Sequence, residues 1–151
     1  MSAAVREAVA AVLDPELPMV TIEDLGILRD VRVDGDVVHV TITPTYAGCP
    51  AMDAIRADIE AAVPDHPVVV HTVLSPAWST DDITEAGRSK LGAGGIAPPG
   101  VGTRTFVALT VRCPQCGSPD TRELSRFGST ACKALWVCNA CAEPFDRFKE
   151  L

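Results

Sequence analysis

The sequence predicts an α+β fold: a small α/β module, made of a hairpin plus a third strand with packed helices, followed by a C-terminal four-cysteine zinc ribbon. Three observations predict it. Of six cysteines, Cys49 alone lies ahead of residue 113, while Cys113, Cys116, Cys132, Cys138 and Cys141 crowd into the end. Charge divides the same way: residues 1–104 carry 15 acidic and 7 basic side chains, whereas residues 105–151 carry 5 and 6. Helix-period and strand-period apolar patterns fill the front, and five of the seven aromatics (Phe106, Phe127, Trp136, Phe145 and Phe148) fall in the tail. The boundaries expected are 1–92 for the front domain, 93–104 for a Gly/Pro linker and 105–151 for the metal-binding tail.

The front module opens with a helix. Ser2 is placed to cap it, Val5, Val9, Val12 and Leu13 recur at helical spacing, and Pro15 ends it. A loop carrying Asp24-Leu25-Gly26 follows. Strands are expected over 27–33 and 37–43, joined at Asp34-Gly35, a hairpin signal. In the second strand Val38, Val40 and Ile42 alternate with Val37, His39 and Thr41, which puts one apolar face on the core. Pro50 suits the first position of a second helix whose buried stripe is Met52, Ile55, Ile59 and Val63. Residues 68–74 read as a strand apolar on both faces, hence central or covered on both sides. Thr80 opens a short helix over 81–91 that Gly92 stops.

In the tail, Cys113-Pro114-Gln115-Cys116 and Cys138-Asn139-Ala140-Cys141 are two C-x2-C pairs 21 residues apart. Each pair fits one tight turn and offers two corners of a tetrahedron, so the four thiolates make a metal site. Strands are expected to run into the first knuckle over 106–111 and into the second over 134–137. Zinc is the default ion, and a single iron or an iron–sulfur cluster uses the same ligands. A thioredoxin-like redox pair and plain buried thiols are the competing readings. About 45 residues bury too little to hold themselves together, so metal would carry much of the tail's folding energy. The aromatics Trp136, Phe145 and Phe148 suit either the small ribbon core or an exposed docking surface.

Two thiols remain. Cys49, between Gly48 and Pro50, sits at or just before a helix N-terminus, where N–H groups and the dipole favour a thiolate. It reads as a nucleophilic or metal-ligating thiol, or else as an N-cap residue of unusual type. Asp14 and Glu16 are carboxylates that the fold can bring near it, and they equally suit ordinary loop chemistry. Cys132 has Lys133 beside it to favour a thiolate, or it is a small buried hydrophobe. His39, His66 and His71 have no spacing that suggests a triad or a histidine metal site. There is no phosphate-cradling glycine loop and no G-x-S-x-G elbow, so a self-contained catalyst is not expected.

The chain has 151 residues, is 47% hydrophobic and 22% charged, and has net charge -7. That is a globular balance. The acidity argues against a general polyanion binder. No apolar run reaches the roughly 18 residues of a membrane span, and the N-terminus lacks the apolar stretch of a signal peptide. The expected compartment is the cytoplasm, where thiols serve as ligands or reactive groups.

Asp14-Pro15-Glu16-Leu17-Pro18-Met19-Val20, Asp24-Leu25-Gly26-Ile27 and Thr43-Pro44-Thr45-Tyr46-Ala47-Gly48-Cys49-Pro50-Ala51 resemble the metal–sulfur cluster assembly family that includes SufT-like proteins. Phe127-Gly128-Ser129-Thr130-Ala131-Cys132-Lys133-Ala134, with Glu143-Pro144-Phe145-Asp146-Arg147-Phe148-Lys149, is similar to the PaaD family. The two together cover nearly the whole chain. The resemblance implies an accessory or maturation subunit, not itself catalytic, of the multicomponent phenylacetyl-CoA epoxidase of aerobic phenylacetate catabolism. Its implied partners are the di-iron oxygenase and the iron–sulfur flavoprotein reductase. It also implies a cluster-transfer role for Cys49, with Asp14 and Glu16 nearby. One thiol cannot hold a transient iron–sulfur cluster; a partner's ligands, Cys49 of a second protomer in a homodimer, or Cys132 would complete it. The alternatives are an electron-transfer subunit using tail-bound iron and a zinc-ribbon nucleic-acid binder. The latter is disfavoured by the near balance of charge in the tail.

Overall fold

The alternation of Val38, Val40 and Ile42 decides the front module, because all three side chains end fully buried. They lie on β2 (Val37–Ile42), which pairs antiparallel with β1 (Leu28–Asp34) through a tight turn. The turn is centred on Gly35 and Asp36, with Gly35 at φ 61°, as in a hairpin turn with glycine at its first central position. The computed structural model describes residues 2–45, 50–99 and 111–149. By contacts the chain separates into two units, Met1–Gly87 and Arg88–Leu151.

Around the hairpin, α1 (Ser2–Ala10) packs on β1 and on α2 (Ala51–Ala62), and α2 packs on β3 (Val68–Thr72). Val5, Val9, Ile55, Ile59 and Val63 supply the helical side of the core, each at the spacing the periodicity demands. Pro50 stands immediately before α2 with φ −69°. The first helix is shorter than its apolar pattern: it ends at Ala10, Val12 is buried in the turn beyond, and Leu13 is 50% exposed. Leu13 bridges to Thr21 instead, closing the loop that carries Asp14 and Pro15.

The third strand departs from expectation. The sheet order is β1-β2-β3, with β2 central and β3 parallel to it at the edge. A parallel neighbour requires a crossover, and α2 is that crossover. One face of β3 is open, so Val69 is 41% exposed and Leu74 just beyond is 68% exposed. An apolar run shows that a strand is rich in β-formers, not how many neighbours it has.

Residues 80–91 do not form one helix. A 3-10 turn, Thr80–Asp82, is closed by a reciprocal box in which Ser79 accepts from Asp81 N–H and Asp82 accepts from Ser79 N–H. Then α3 (Glu85–Ala93) starts afresh, with the Thr84 hydroxyl accepting from Gly87 N–H at 3.0 Å. Gly92 lies inside α3, which ends at Ala93, and Gly95 in the turn beyond takes φ 84°. The Asp24-Leu25-Gly26 loop packs against the start of this region: Trp78 Nε1 donates to the Leu25 carbonyl at 2.8 Å and Thr84 N–H to that of Asp24 at 2.9 Å.

Within the stretch expected as a linker, Ile96–Ala97 form β4, buried at 6% and 2%. They pair parallel with β7 (Pro144–Phe148). The second sheet has the order β4-β7-β6-β5, with β5 (Thr121–Ser125) and β6 (Lys133–Cys138) completing it. The 134–137 strand is thus present as part of β6. β5 is mostly polar with Leu124 as its one apolar side chain, and β7 mixes charged and aromatic residues, so neither shows a clean alternation in sequence. Of the strand expected over 106–111, residues 106–110 lie outside the described residues.

Gly26 has φ 73°, and a Cβ there would stand 2.7 Å from Asp82 Cβ and closer still to its carbonyl oxygen. Gly35 has φ 61° with open space around it. Gly26→Ala adds a steric clash of about 1–3 kcal/mol to the backbone strain that both positions share. Denaturant unfolding of the two alanine variants should therefore show Gly26→Ala as the less stable by about 2 kcal/mol.

Candidate metal centre

The two knuckles are built alike. In the first, Cys113 N–H donates to the Ser118 carbonyl at 2.9 Å and Gly117 N–H to that of Cys113 at 2.8 Å. Gly117, four residues after Cys113, takes φ 75°. In the second, Cys138 N–H donates to the Glu143 carbonyl at 2.9 Å. Ala142, four residues after Cys138, takes φ 62°. The knuckle turn thus imposes a left-handed residue at the same place twice, and alanine occupies it once at a steric cost. Across the site, Asn139 ties the end of β6 to the chain before β5. Its N–H donates to the Asp120 carbonyl at 2.8 Å and its side-chain amide to Asp120 Oδ1 at 3.0 Å.

These turns bring the four sulfur atoms of Cys113, Cys116, Cys138 and Cys141 within 4.8 Å of one another. Across the knuckles, Cys113 lies 3.8 Å from Cys141 and Cys116 lies 3.6 Å from Cys138. A tetrahedral ion with metal–sulfur bonds of about 2.3 Å sets its ligands about 3.8 Å apart, so the donors fit one ion. Cys113 and Cys138 are buried and accept N–H groups from Gln115 at 3.4 Å and Cys141 at 3.5 Å, while Cys116 and Cys141 are exposed. The buried pair also belongs to the hydrophobic cluster of Ala97, Val111 and Phe145, with Trp136 packed against it.

Four thiols so close cannot ionise alike. Burial pushes Cys113 up, but the N–H groups of Cys116 and Gln115 outweigh it and bring it down to about 7. At Cys141 the Glu143 N–H pulls down, yet burial and the Cys138 thiol prevail and carry it up to about 12. Cys116 is raised too, the Ser118 N–H opposing and Cys138 promoting the rise. Cys113, Cys116, Cys138 and Cys141 would hold a divalent cation as thiolates, which would remove this conflict at the cost of releasing their protons.

Of the other residues singled out by sequence, Cys132 is buried at 5%, with its sulfur 3.0 Å from the Thr130 hydroxyl, so it is packed beside the ribbon apart from the four-sulfur group. Cys49 lies outside the described residues. Asp14 is 6% exposed, and its Oδ1 accepts N–H groups from Glu16 and Leu17, both at 2.9 Å. Asp24 and Thr21 hold each other reciprocally at 3.0 Å. Both aspartates are thus built into the turns that shape their loops. The structure also joins two residues that sequence spacing kept apart. His39 Nδ1 and His71 Nε2 meet at 3.0 Å across β2 and β3, with the rings 14° from parallel. Only the parallel register, which sets Thr41 beside His71, brings them together.

Comparisons with known proteins follow this division. Residues 2–74 match the family described as iron-sulfur cluster assembly protein, and residues 97–149 match the PaaD zinc beta ribbon domain. Over 140 residues, 90% of this chain and 85% of the relative, the sequence is 46% identical to an Escherichia coli K12 protein named as a candidate component of 1,2-phenylacetyl-CoA epoxidase.

The chain belongs to the PaaD family.

A Bacillus subtilis Fe-S protein maturation auxiliary factor, YitW, is 38% identical to this PaaD-family chain over 90 residues, 56% of the chain and 87% of that factor. Among solved structures, the domain of unknown function DUF59 from Bacillus anthracis is 30% identical with TM-score 0.55, covering 60% of this chain and 91% of its own. A conserved hypothetical protein from Thermotoga maritima is 28% identical with TM-score 0.50, covering 61% and 94%. The PaaD-family fold is therefore a DUF59 α/β module followed by a four-cysteine ribbon sheet. Among the described residues no helix is long and apolar enough to cross a membrane.

Metal affinity should rise with pH, since the raised thiols must lose protons to bind. Zinc added to the metal-free full-length chain in weak buffer should acidify the solution, and acid should release the metal, as a chromogenic chelator would record. Cys138→Ala should abolish stoichiometric binding, whereas Cys132→Ala should keep it. Ala142→Gly should relieve the left-handed strain and stabilise the tail by about 1 kcal/mol, read from thermal unfolding with metal held constant.

Proposed function

We propose that this chain is an accessory or maturation component of the 1,2-phenylacetyl-CoA epoxidase system that assists assembly of an iron–sulfur or iron centre in a partner protein. The observation that carries the reading is the union, in one chain, of an iron–sulfur assembly module at 2–74 and a PaaD ribbon at 97–149. The first is supported by identity to a protein named as an Fe-S maturation auxiliary factor. The second is supported by identity to the candidate epoxidase component along almost the whole chain.

The residues divide the work. Cys49 is the front module's only thiol, and in sequence it immediately precedes Pro50 and the start of α2, where a thiolate is favoured. It is the proposed point of cluster or iron handling; Asp14 assists by holding the turn that carries Glu16. In the tail, Cys113, Cys116, Cys138 and Cys141 hold zinc as a structural ion. Zinc supplies no redox chemistry there; it fixes the two knuckles and the cluster of apolar side chains packed on them. The chain works with the oxygenase and reductase components in the cytoplasm and leaves ring epoxidation to them.

Replacement of Cys49 by Ala should leave the ribbon's metal content and the folded far-UV spectrum unchanged. In cells it should lower epoxidase activity toward the level seen without this chain, with partner proteins recovered short of iron or sulfide. Full activity with normally metallated partners would refute the role of Cys49. Anaerobic purification from the native host should give a colourless protein with zinc in the tail; iron there would instead indicate electron transfer.

A further inference from the structure

Of the three aromatics that suit either core or docking roles by sequence, two are core and Trp136 is half-buried against it. Phe145 and Phe148 are 5% and 1% exposed, and Trp136 packs against the buried cluster with Arg147 5.5 Å above its ring. Phe127, by contrast, is 80% exposed, the most exposed of the large apolar residues described. Leu124, on the adjoining β5, is 47% exposed.

The loop that displays Phe127 is held at many points. Phe127 N–H donates to the Ser125 hydroxyl at 3.1 Å, and Gly128 N–H to the Lys133 carbonyl at 2.8 Å. Gly128 is pressed against β6 and β7: a Cβ there would lie 3.0 Å from the Lys133 carbonyl oxygen and 3.1 Å from Asp146 Oδ1. Beneath it the Lys133 side chain, 8% exposed, pairs with Asp146 at 3.9 Å. Lys149 closes the base: its N–H donates to the Cys132 carbonyl at 2.9 Å and its Nζ to the Arg126 carbonyl at 2.9 Å. That Nζ stands 5.5 Å from the centre of the Phe127 ring. A ring shown to water on a braced loop incurs little ordering cost when it enters a pocket, which is the profile of an interface anchor. The charges beside it, Arg126 and Lys149, are both positive, and the adjacent carboxylate of Asp146 is engaged by Lys133.

We propose that Phe127, flanked by Arg126 and Lys149, is the anchor by which this chain docks onto a partner protein bearing an apolar socket rimmed by carboxylates. The aromatic ring gives affinity by leaving water, and the two cations give orientation and rate through charge complementarity. The anchor is in the tail, far in sequence from Cys49, so docking and cluster handling are separable tasks. The choice of partner for the test rests on the accessory reading above.

The experiment measures binding of the full-length, metal-loaded chain to the remaining purified components of the phenylacetyl-CoA epoxidase, at low and high salt. Phe127→Ala should weaken binding about 30-fold while metal content and unfolding midpoint stay unchanged, since the ring contributes little to the fold. Arg126→Glu, which leaves the backbone carbonyl used by Lys149 in place, should slow association and reverse its salt dependence. Cys49→Ala should bind as the parent does, so a failure of docking is distinguished from a failure of maturation. Unchanged affinity for Phe127→Ala, or a parent chain that binds none of these components, would overturn the proposal.

Discussion

Four sulfur atoms confined within 4.8 Å govern the C-terminal unit. Two of them, on Cys113 and Cys138, are also members of its small apolar cluster. Metal site and core are therefore one object. Neutral thiols can be packed this closely, but four thiolates cannot without a cation, and the opposed shifts of Cys113 and Cys141 record that conflict. The apolar cluster that Cys113 and Cys138 join, Ala97, Val111 and Phe145 with part of Trp136, is small. A bound ion would add the energy that so small a cluster lacks.

The front unit rests on a different principle. Its recognisable segments, around Asp14 and Asp24, are joints: carboxylates accept N–H groups at loop starts, and Gly26 and Gly87 let backbones approach where a Cβ would collide. A motif of acids and glycines reads as chemistry in a sequence, yet here each has a packing or turn-forming task. With the aspartates occupied in this way, the proposed function concentrates on Cys49, the only thiol of that unit.

On the proposed reading the two units divide a single job: the ribbon docks through Phe127 and the assembly module carries the working thiol. Separation of docking from delivery suits an accessory protein, because affinity for a partner can be set without altering the thiol's environment.

Much of this was legible in the sequence, and what was legible was local. The spacing of two C-x2-C pairs determined the ligand set, because a knuckle is a turn of a few residues. Strict alternation in β2 determined its buried face, and helical spacing determined Ile55 and Ile59 as core. Other features depended on residues far apart in the chain. Strand order placed β3 at an edge although its residues are apolar, and the pairing of Ile96 with Asp146 made a strand out of a stretch that composition marks as linker. The meeting of His39 with His71, and the exposure of Phe127 where Phe148 is buried, were likewise decided in three dimensions. Periodicity reports which side of an element is apolar; only the folded chain decides which neighbour, if any, covers it.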